Sequence, residues 1–179
     1  MFDEVFWFYC SADSDDIDSY AKYNYADNTW DIGSLARTAW VDFGLHSKPR
    51  AAGVADSLNY IYSHETGTTD DGSAMEPFIE SSVFSIGDGE QFSFISRLIP
   101  DIDIASSDAA TTVNYVLKSR NFPGESLSTN STSAVTSTTD QAFVRSRSRS
   151  SVLRVESSAI DIQWTLGDLR LDIRPDGRR

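Results

Sequence analysis

Three arginines alternate with serines in Arg145-Ser146-Arg147-Ser148-Arg149-Ser150. On a β-strand, side chains two residues apart share a face at a spacing of about 6.5–7 Å. This run therefore sets three guanidinium groups side by side, where they repel one another and call for acidic partners. Guanidinium chemistry is bidentate pairing with carboxylates or phosphates. Carboxylates of this chain or of a neighbouring subunit are the preferred partners, because the chain is strongly acidic: 27 Asp and Glu against 15 Lys and Arg, a formal net charge of -12. Residues 1–110 carry 20 acids and 5 bases, whereas residues 111–179 carry 7 and 10. The C-terminal Arg170, Arg174, Arg178 and Arg179 extend the same basic set. Arg145, Arg147, Arg149, Arg174, Arg178 and Arg179 are thus the candidate assembly residues. Long-range repulsion by the acidic body opposes a grip on DNA.

Other constellations carry weaker chemistry. Asp13-Ser14-Asp15-Asp16-Ile17-Asp18 offers oxygen ligands for Ca²⁺, but lacks the Gly and Glu positions of an EF-hand loop; a solvated loop is the preferred reading. Asp101 and Asp103 place two carboxylates on one face of an extended segment, the arrangement of an acid/base pair or metal site, although solvent-facing strand residues have the same spacing. His46 and His64 are the only imidazoles. No G-x-S-x-G elbow accompanies them, and His64 in Tyr62-Ser63-His64-Glu65 reads as a structural hydrogen-bonding group. No phosphate-binding glycine motif is present. Cys10 is the single cysteine, so neither an intrachain disulfide nor a cysteine zinc site can form. No enzyme activity, cofactor or metal is expected. Aromatic residues gather in Phe6-Trp7-Phe8-Tyr9 and at Tyr20, Tyr23, Tyr25, Trp30 and Trp40. Filling the core between packed sheets is preferred for them over a sugar-stacking platform.

The elements that must position these residues read as strands. Ser151–Glu156 and Thr111–Lys118 mix polar and apolar residues at short range, with β-branched residues prominent. Further strands are expected at Glu4–Tyr9, Tyr20–Tyr25, Thr29–Ile32, Thr38–Asp42, Leu58–Ser63, Phe78–Ile86, Gln91–Leu98 and Ile162–Leu166. Gly87-Asp88-Gly89 reads as the turn of a hairpin, and Ser34–Trp40 as a short helical turn. Residues 124–141 hold ten Ser or Thr, which suits a flexible loop or a hairpin of polar strands. The Asn130-Ser131-Thr132 sequon arises there by composition. The expected fold is all-β and antiparallel, as propeller-like blades or as a partial propeller or sandwich. It divides into an acidic, aromatic-rich region over 1–123, the polar stretch 124–141, and an Arg-rich segment over 142–179 that packs on the first region. No apolar run approaches the roughly 18 residues needed to span a bilayer, so no membrane insertion is expected. The opening MFDEVFWFYC has two acids and no basic n-region, unlike a signal peptide.

Several segments together resemble one family. Tyr23-Asn24-Tyr25, Asn28-Thr29-Trp30 and Leu35-Ala36-Arg37-Thr38-Ala39-Trp40 look like blade patterns of the tail nozzle (tail tubular) proteins of short-tailed bacteriophages. Tyr62-Ser63-His64-Glu65-Thr66-Gly67, Phe78-Ile79-Glu80-Ser81 and Ile86-Gly87-Asp88-Gly89 follow in the same order. The ending, Trp164-Thr165-Leu166-Gly167 and then Arg170-Leu171-Asp172-Ile173-Arg174-Pro175-Asp176-Gly177-Arg178-Arg179, is similar to the C-terminal segment of such proteins. The resemblance implies a structural subunit of a virion tail that contacts other tail proteins and copies of itself in a ring, with DNA passing through transiently. Family members are usually several times longer, so it covers their C-terminal part. The alternative reading of the residues is a carbohydrate- or receptor-binding β-domain of a virion.

Overall fold

The computed structural model describes residues 3–42, 46–55, 58–106 and 111–178. All its regular elements are antiparallel β-strands, as the sequence leads one to expect. Two compact units divide the chain, residues 1–66 and 67–179.

The first unit contains two sheets, each a run of consecutive strands. β1 (Glu4–Tyr9), β2 (Ser19–Asn24) and β3 (Thr29–Ser34) form one; β4 (Ala39–Val41), β5 (Arg50–Ala55) and β6 (Leu58–Ser63) form the other. Pairing of Phe8 with Tyr20 and of Phe6 with Lys22 sets Phe6, Phe8, Tyr20 and Lys22 on one face of the first sheet. Lys22 there bridges Glu4 at 3.2 Å and Asp31 at 3.4 Å, so all three strands share one ion network. Trp40 of β4 meets this face, its ring centroid 5.3 Å from Phe8 and 6.0 Å from Phe6, and it also lies 4.7 Å from His64. The opposite face of the first sheet carries Val5, Trp7, Tyr9, Tyr23, Trp30 and Ile32. Trp7 stacks on Trp30 at 5.7 Å and Tyr23 on Trp30 at 4.7 Å, yet Trp30 is 66% and Ile32 75% exposed. The second sheet likewise leaves Val41, Val54 and Ile61 exposed. The expectation that these aromatics fill a core is therefore corrected. Among the described residues, the Phe6–Phe8–Trp40 contact covers one face of the first sheet, and the opposite face stays open.

The second unit has a conventional core. β7 (Phe78–Glu80), β8 (Ser93–Ile99), β9 (Ile102–Ser106), β10 (Val113–Arg120), β11 (Ser128–Val135), β12 (Ala142–Ser148), β13 (Ser150–Glu156), β14 (Ile162–Leu166) and β15 (Arg170–Pro175) build three sheets. Their orders are β11-β10-β13-β7, β12-β8-β15 and β14-β9. Ile95 and Leu98 of β8, Val144 of β12 and Ile162 of β14 pack with Val113, Tyr115 and Leu117 of β10, Val135 of β11, and Leu153 and Val155 of β13. The core thus joins all three sheets. β10 pairs on both sides and is buried at Val113, Tyr115, Val116 and Leu117, which is why its sequence reads as a β-branched apolar run.

The Ser/Thr-rich stretch takes the strand form among its expected readings, over residues 128–135. Several other local expectations give way to tertiary structure. Residues 35–38 form no helical turn; the chain there is irregular. Gly87 and Gly89 do take positive φ, 58° and 78°, but the segments they join enter different sheets and form no hairpin. Phe78–Ile86 shortens to a three-residue β7, after which the chain is irregular save for a single bridge from Phe84 to Ser151.

Two substitutions probe this core. The Tyr115 hydroxyl is buried with no hydrogen-bond partner among the described residues, and burial, reinforced by the Asp101 charge, pushes the phenol up to about 12. An unsatisfied buried donor costs about 1–3 kcal/mol, so Tyr115→Phe should raise the melting temperature by several degrees in calorimetry. Glu80 accepts from Lys118 Nζ at 2.6 Å and lies 3.4 Å from Arg154 Nη1. The Lys118 hydrogen bond, with help from Arg154 and against the cost of desolvation, holds its carboxyl below the usual glutamate range. A depressed carboxylate stabilises the fold above its unfolded pKa, and that contribution vanishes as pH falls through the folded value. Thermal melts from about pH 5 downward should lose stability less steeply in Glu80→Gln than in the wild type.

Candidate assembly interface

The arginine run falls on β12 and the bend that follows it. Val144, Ser146 and Ser148 turn inward and are buried, whereas Phe143, Arg145 and Arg147 face solvent. The buried hydroxyls are satisfied, as polar groups removed from water must be. Asn130 Nδ2 donates to Ser146 Oγ at 3.0 Å, and Ser93 Oγ donates to the Ser148 carbonyl at 2.9 Å. The Ser148 and Ser151 hydroxyls lie 3.0 Å apart. The sequon asparagine is thus a strand residue committed to this seam.

Outside the sheet, the three arginines have three different environments. Arg147 Nε meets Asp176 Oδ2 at 2.5 Å, its Nη2 donates to the Asp176 carbonyl at 3.0 Å, and its guanidinium lies 4.1 Å from the Phe92 ring centroid. Arg149 is not on the strand. It occupies the bend where the chain leaves β12 for β13, donates to the carbonyls of Glu90 at 2.6 Å and Arg178 at 3.2 Å, and lies 4.8 Å from Phe92. Phe92 is therefore gripped by two cations, and its backbone bonds to Gly177 and Asp176 complete a clamp on the C-terminal segment. Arg145 falls where the β12–β8 register shifts, and it has no ion pair among the described residues. The expectation of a carboxylate beside each arginine is met by Arg147 alone, and its acid comes from this chain.

The rest of the basic set lies partly on the same surface. Arg174 pairs with Phe94 across β15 and β8, its guanidinium 4.8 Å from that ring, and has no ion pair among the described residues. Arg178 contributes its carbonyl to Arg149, while its own side chain has no ion pair among them either. Arg179 lies outside the described residues. Arg97 pairs with Asp172 at 2.6 Å on the same outer face. Directly opposite Arg97 on β12 is Phe143, 76% exposed. Sequence reasoning passed over Phe143, although the period of two that groups Arg145 with Arg147 also includes it.

The remaining candidates are placed as follows. The Asp18 carboxylate accepts from Ser11 N at 2.8 Å and Ser11 Oγ at 2.6 Å, bonds that hold its pKa down. No group of three metal-ligating side chains occurs among the described residues, the Asp13–Asp18 loop included. Asp101 accepts from Asp168 N at 3.1 Å and presses on Gly167, where a Cβ would meet its carboxylate at 2.6 Å. It braces the turn after β14, and a side chain at position 167 would make the Asp101 carboxylate move. Arg37 Nε donates to His64 Nε2 at 3.2 Å and stacks over Tyr62 at 3.9 Å, so His64 takes part in a packed side-chain cluster. No helix among the described residues is long and apolar enough to cross a membrane.

Arg147→Ser should cost the isolated chain about 1 kcal/mol, the sum of an exposed ion pair and a cation–π contact. Arg145→Ser should leave its melting temperature within the scatter of ordinary surface changes, about ±0.5 kcal/mol. Calorimetry on the two variants separates the clamp residue from its unclamped neighbour.

No family model matches the chain, and no curated protein matches it.

Proposed function

We propose that the chain is a structural subunit of a bacteriophage tail, part of the nozzle or hub ring through which the genome leaves the capsid. The observation that carries this reading is the first unit's surface: both of its sheets expose apolar or aromatic side chains, Trp7, Trp30 and Ile32 on one and Val41, Val54 and Ile61 on the other. Surfaces of this kind mark interaction sites, and a chain that carries two of them is built to be covered. The connectivity of the two sheets supports the propeller-like part of the reading. Each is a meander of consecutive strands, as blades are, and a blade buries its faces only against neighbouring blades.

The partners in this reading are other tail proteins and further copies of the chain in a ring, in the virion tail. Arg145, Arg174 and Phe143 offer a second, chemically different contact surface on the second unit. An acidic chain repels nucleic-acid phosphates, which suits transient DNA passage and not retention. No catalytic step, cofactor or membrane insertion belongs to this function.

Sedimentation of the purified chain, alone and as the Trp30→Ser/Ile61→Ser variant, tests the assembly part. The wild type should form concentration-dependent oligomers, and the variant should shift toward monomer. Imaging of particles that carry the chain should place it in the tail. A wild-type monomer at all concentrations, or a location in the capsid shell, would sink the proposal.

A further inference from the structure

A groove of about 630 Å³ lies in the second unit between β7 and the two-stranded β9–β14 sheet. The register of this sheet pairs Thr165 with Asp103 and Gln163 with Ala105, so these four residues share the outward face. Ile162 and Trp164 alternate with them and pack against the core, while Trp164 Nε1 donates to Ser157 Oγ at 3.0 Å. The small side chain of Ala105 leaves room between three polar ones. Asp103, Gln163 and Thr165 all line the groove, and none of the three side chains has a hydrogen bond or ion pair among the described residues. The facing wall is Pro77, Phe78 and Ile79. Arg154 covers one face of the Phe78 ring at 3.7 Å and is itself anchored on Glu156 at 2.5 Å and Glu80 at 3.4 Å. The ring is thereby held in place with its other face left free of that contact.

We propose that this groove binds a short oligosaccharide. Its volume falls within the roughly 300–1,000 Å³ of small-molecule sites. A sugar ring has an apolar C–H face for an aromatic wall and a rim of hydroxyls that both donate and accept. Asp103 accepts, whereas Gln163 and Thr165 each do both, so the three together match a hydroxyl rim. Other ligand classes fit less well. A phosphate would meet the Asp103 carboxylate with no cation in the lining, and Asp103 alone is too few ligands for a metal ion. An extended peptide would have to add to β7. That strand is three residues long, and the bonds between Ser81 N and Leu153 O and between Ser157 N and Pro77 O leave only Phe78 and Glu80 with main-chain groups turned to the free edge. The site is independent of the assembly reading, since its residues belong neither to the first unit nor to the arginine face.

A glycan array of mono- to tetrasaccharides, probed with the labelled full chain, tests the proposal. A related subset of glycans should be retained, and calorimetric titration with the best of them should give a defined affinity. Gln163→Ala and Asp103→Asn should each weaken that affinity roughly tenfold, the effect of losing one or two hydrogen bonds, with melting temperatures unchanged. Trp30→Ala, in the exposed aromatic face of the first unit, should leave it intact. If Asp103→Asn does not fold, Gln163→Ala carries the test alone. The proposal is overturned if no glycan is retained, if binding survives in Gln163→Ala, if it is lost in Trp30→Ala, or if a peptide array yields ligands where the glycan array yields none.

Discussion

The period of two along β12 is the constraint on which the second unit depends. Ser146 and Ser148 must face inward to meet Asn130, Ser93 and Ser151, and that choice sends Arg145 and Arg147 outward. A slip of one residue would bury guanidinium groups in the core and expose the hydroxyls, reversing every contact at once. A polar seam is an unusual way to fix a register that apolar residues could also set. Its benefit is specificity, because a hydroxyl buried without a partner costs more than a misplaced methyl group. The same register brings Arg147 onto Asp176 and Phe92, so the seam inside and the clamp outside are consequences of one alternation. Arg149 then marks the end of the pattern, where the chain crosses to the other sheet and its cation is spent on carbonyls.

The two units solve the burial problem in opposite ways. In the second, strands distant in sequence close around one core, and Tyr115, Val113, Val135 and Ile95 are almost wholly removed from water. In the first, contacts are local, each sheet is a meander, and large rings stack on one another along the surface. At roughly 25 cal/mol per Å², the apolar area left open on Trp30, Ile32 and Ile61 is a reserve of free energy that only a covering surface can release. In the assembly reading, folding and association of the first unit are therefore coupled more tightly than those of the second.

Much of this architecture is legible in the sequence, and the illegible parts have physical causes. The bounds of β1, β6 and β14 follow directly from aromatic and β-branched composition between turn residues. β5 escapes because Arg50-Ala51-Ala52-Gly53-Val54-Ala55 has small residues and almost no alternation. Its conformation is set by its two partners. The Gly87-Asp88-Gly89 turn has the right dihedrals and the wrong destination, since no local rule says which sheet a strand joins. For the candidate site, the outward position of Arg145 and Arg147 is readable from spacing, but Asp176 as a partner requires the return of a distant segment. The groove is harder still. Asp103 and Gln163 become neighbours only through the β9–β14 pairing, and Asp101, its apparent partner in sequence, is drawn away to the turn at Gly167.

The chemistry of the exposed surfaces also bears on the symmetry of any assembly. The outer face of β12, β8 and β15 presents Arg145 and Arg174 beside the Arg97–Asp172 and Arg147–Asp176 pairs, so its excess of positive charge is only partly offset on the spot. The first unit, by contrast, has 11 acids against 4 bases over residues 1–66, and its exposed sheet faces are apolar. Cationic and acidic surfaces on one chain complement each other between copies, reciprocally in a two-fold pair or head-to-tail in a ring. The assembly reading takes the head-to-tail arrangement, in which such contacts close into a ring when the rotation they impose divides a full turn.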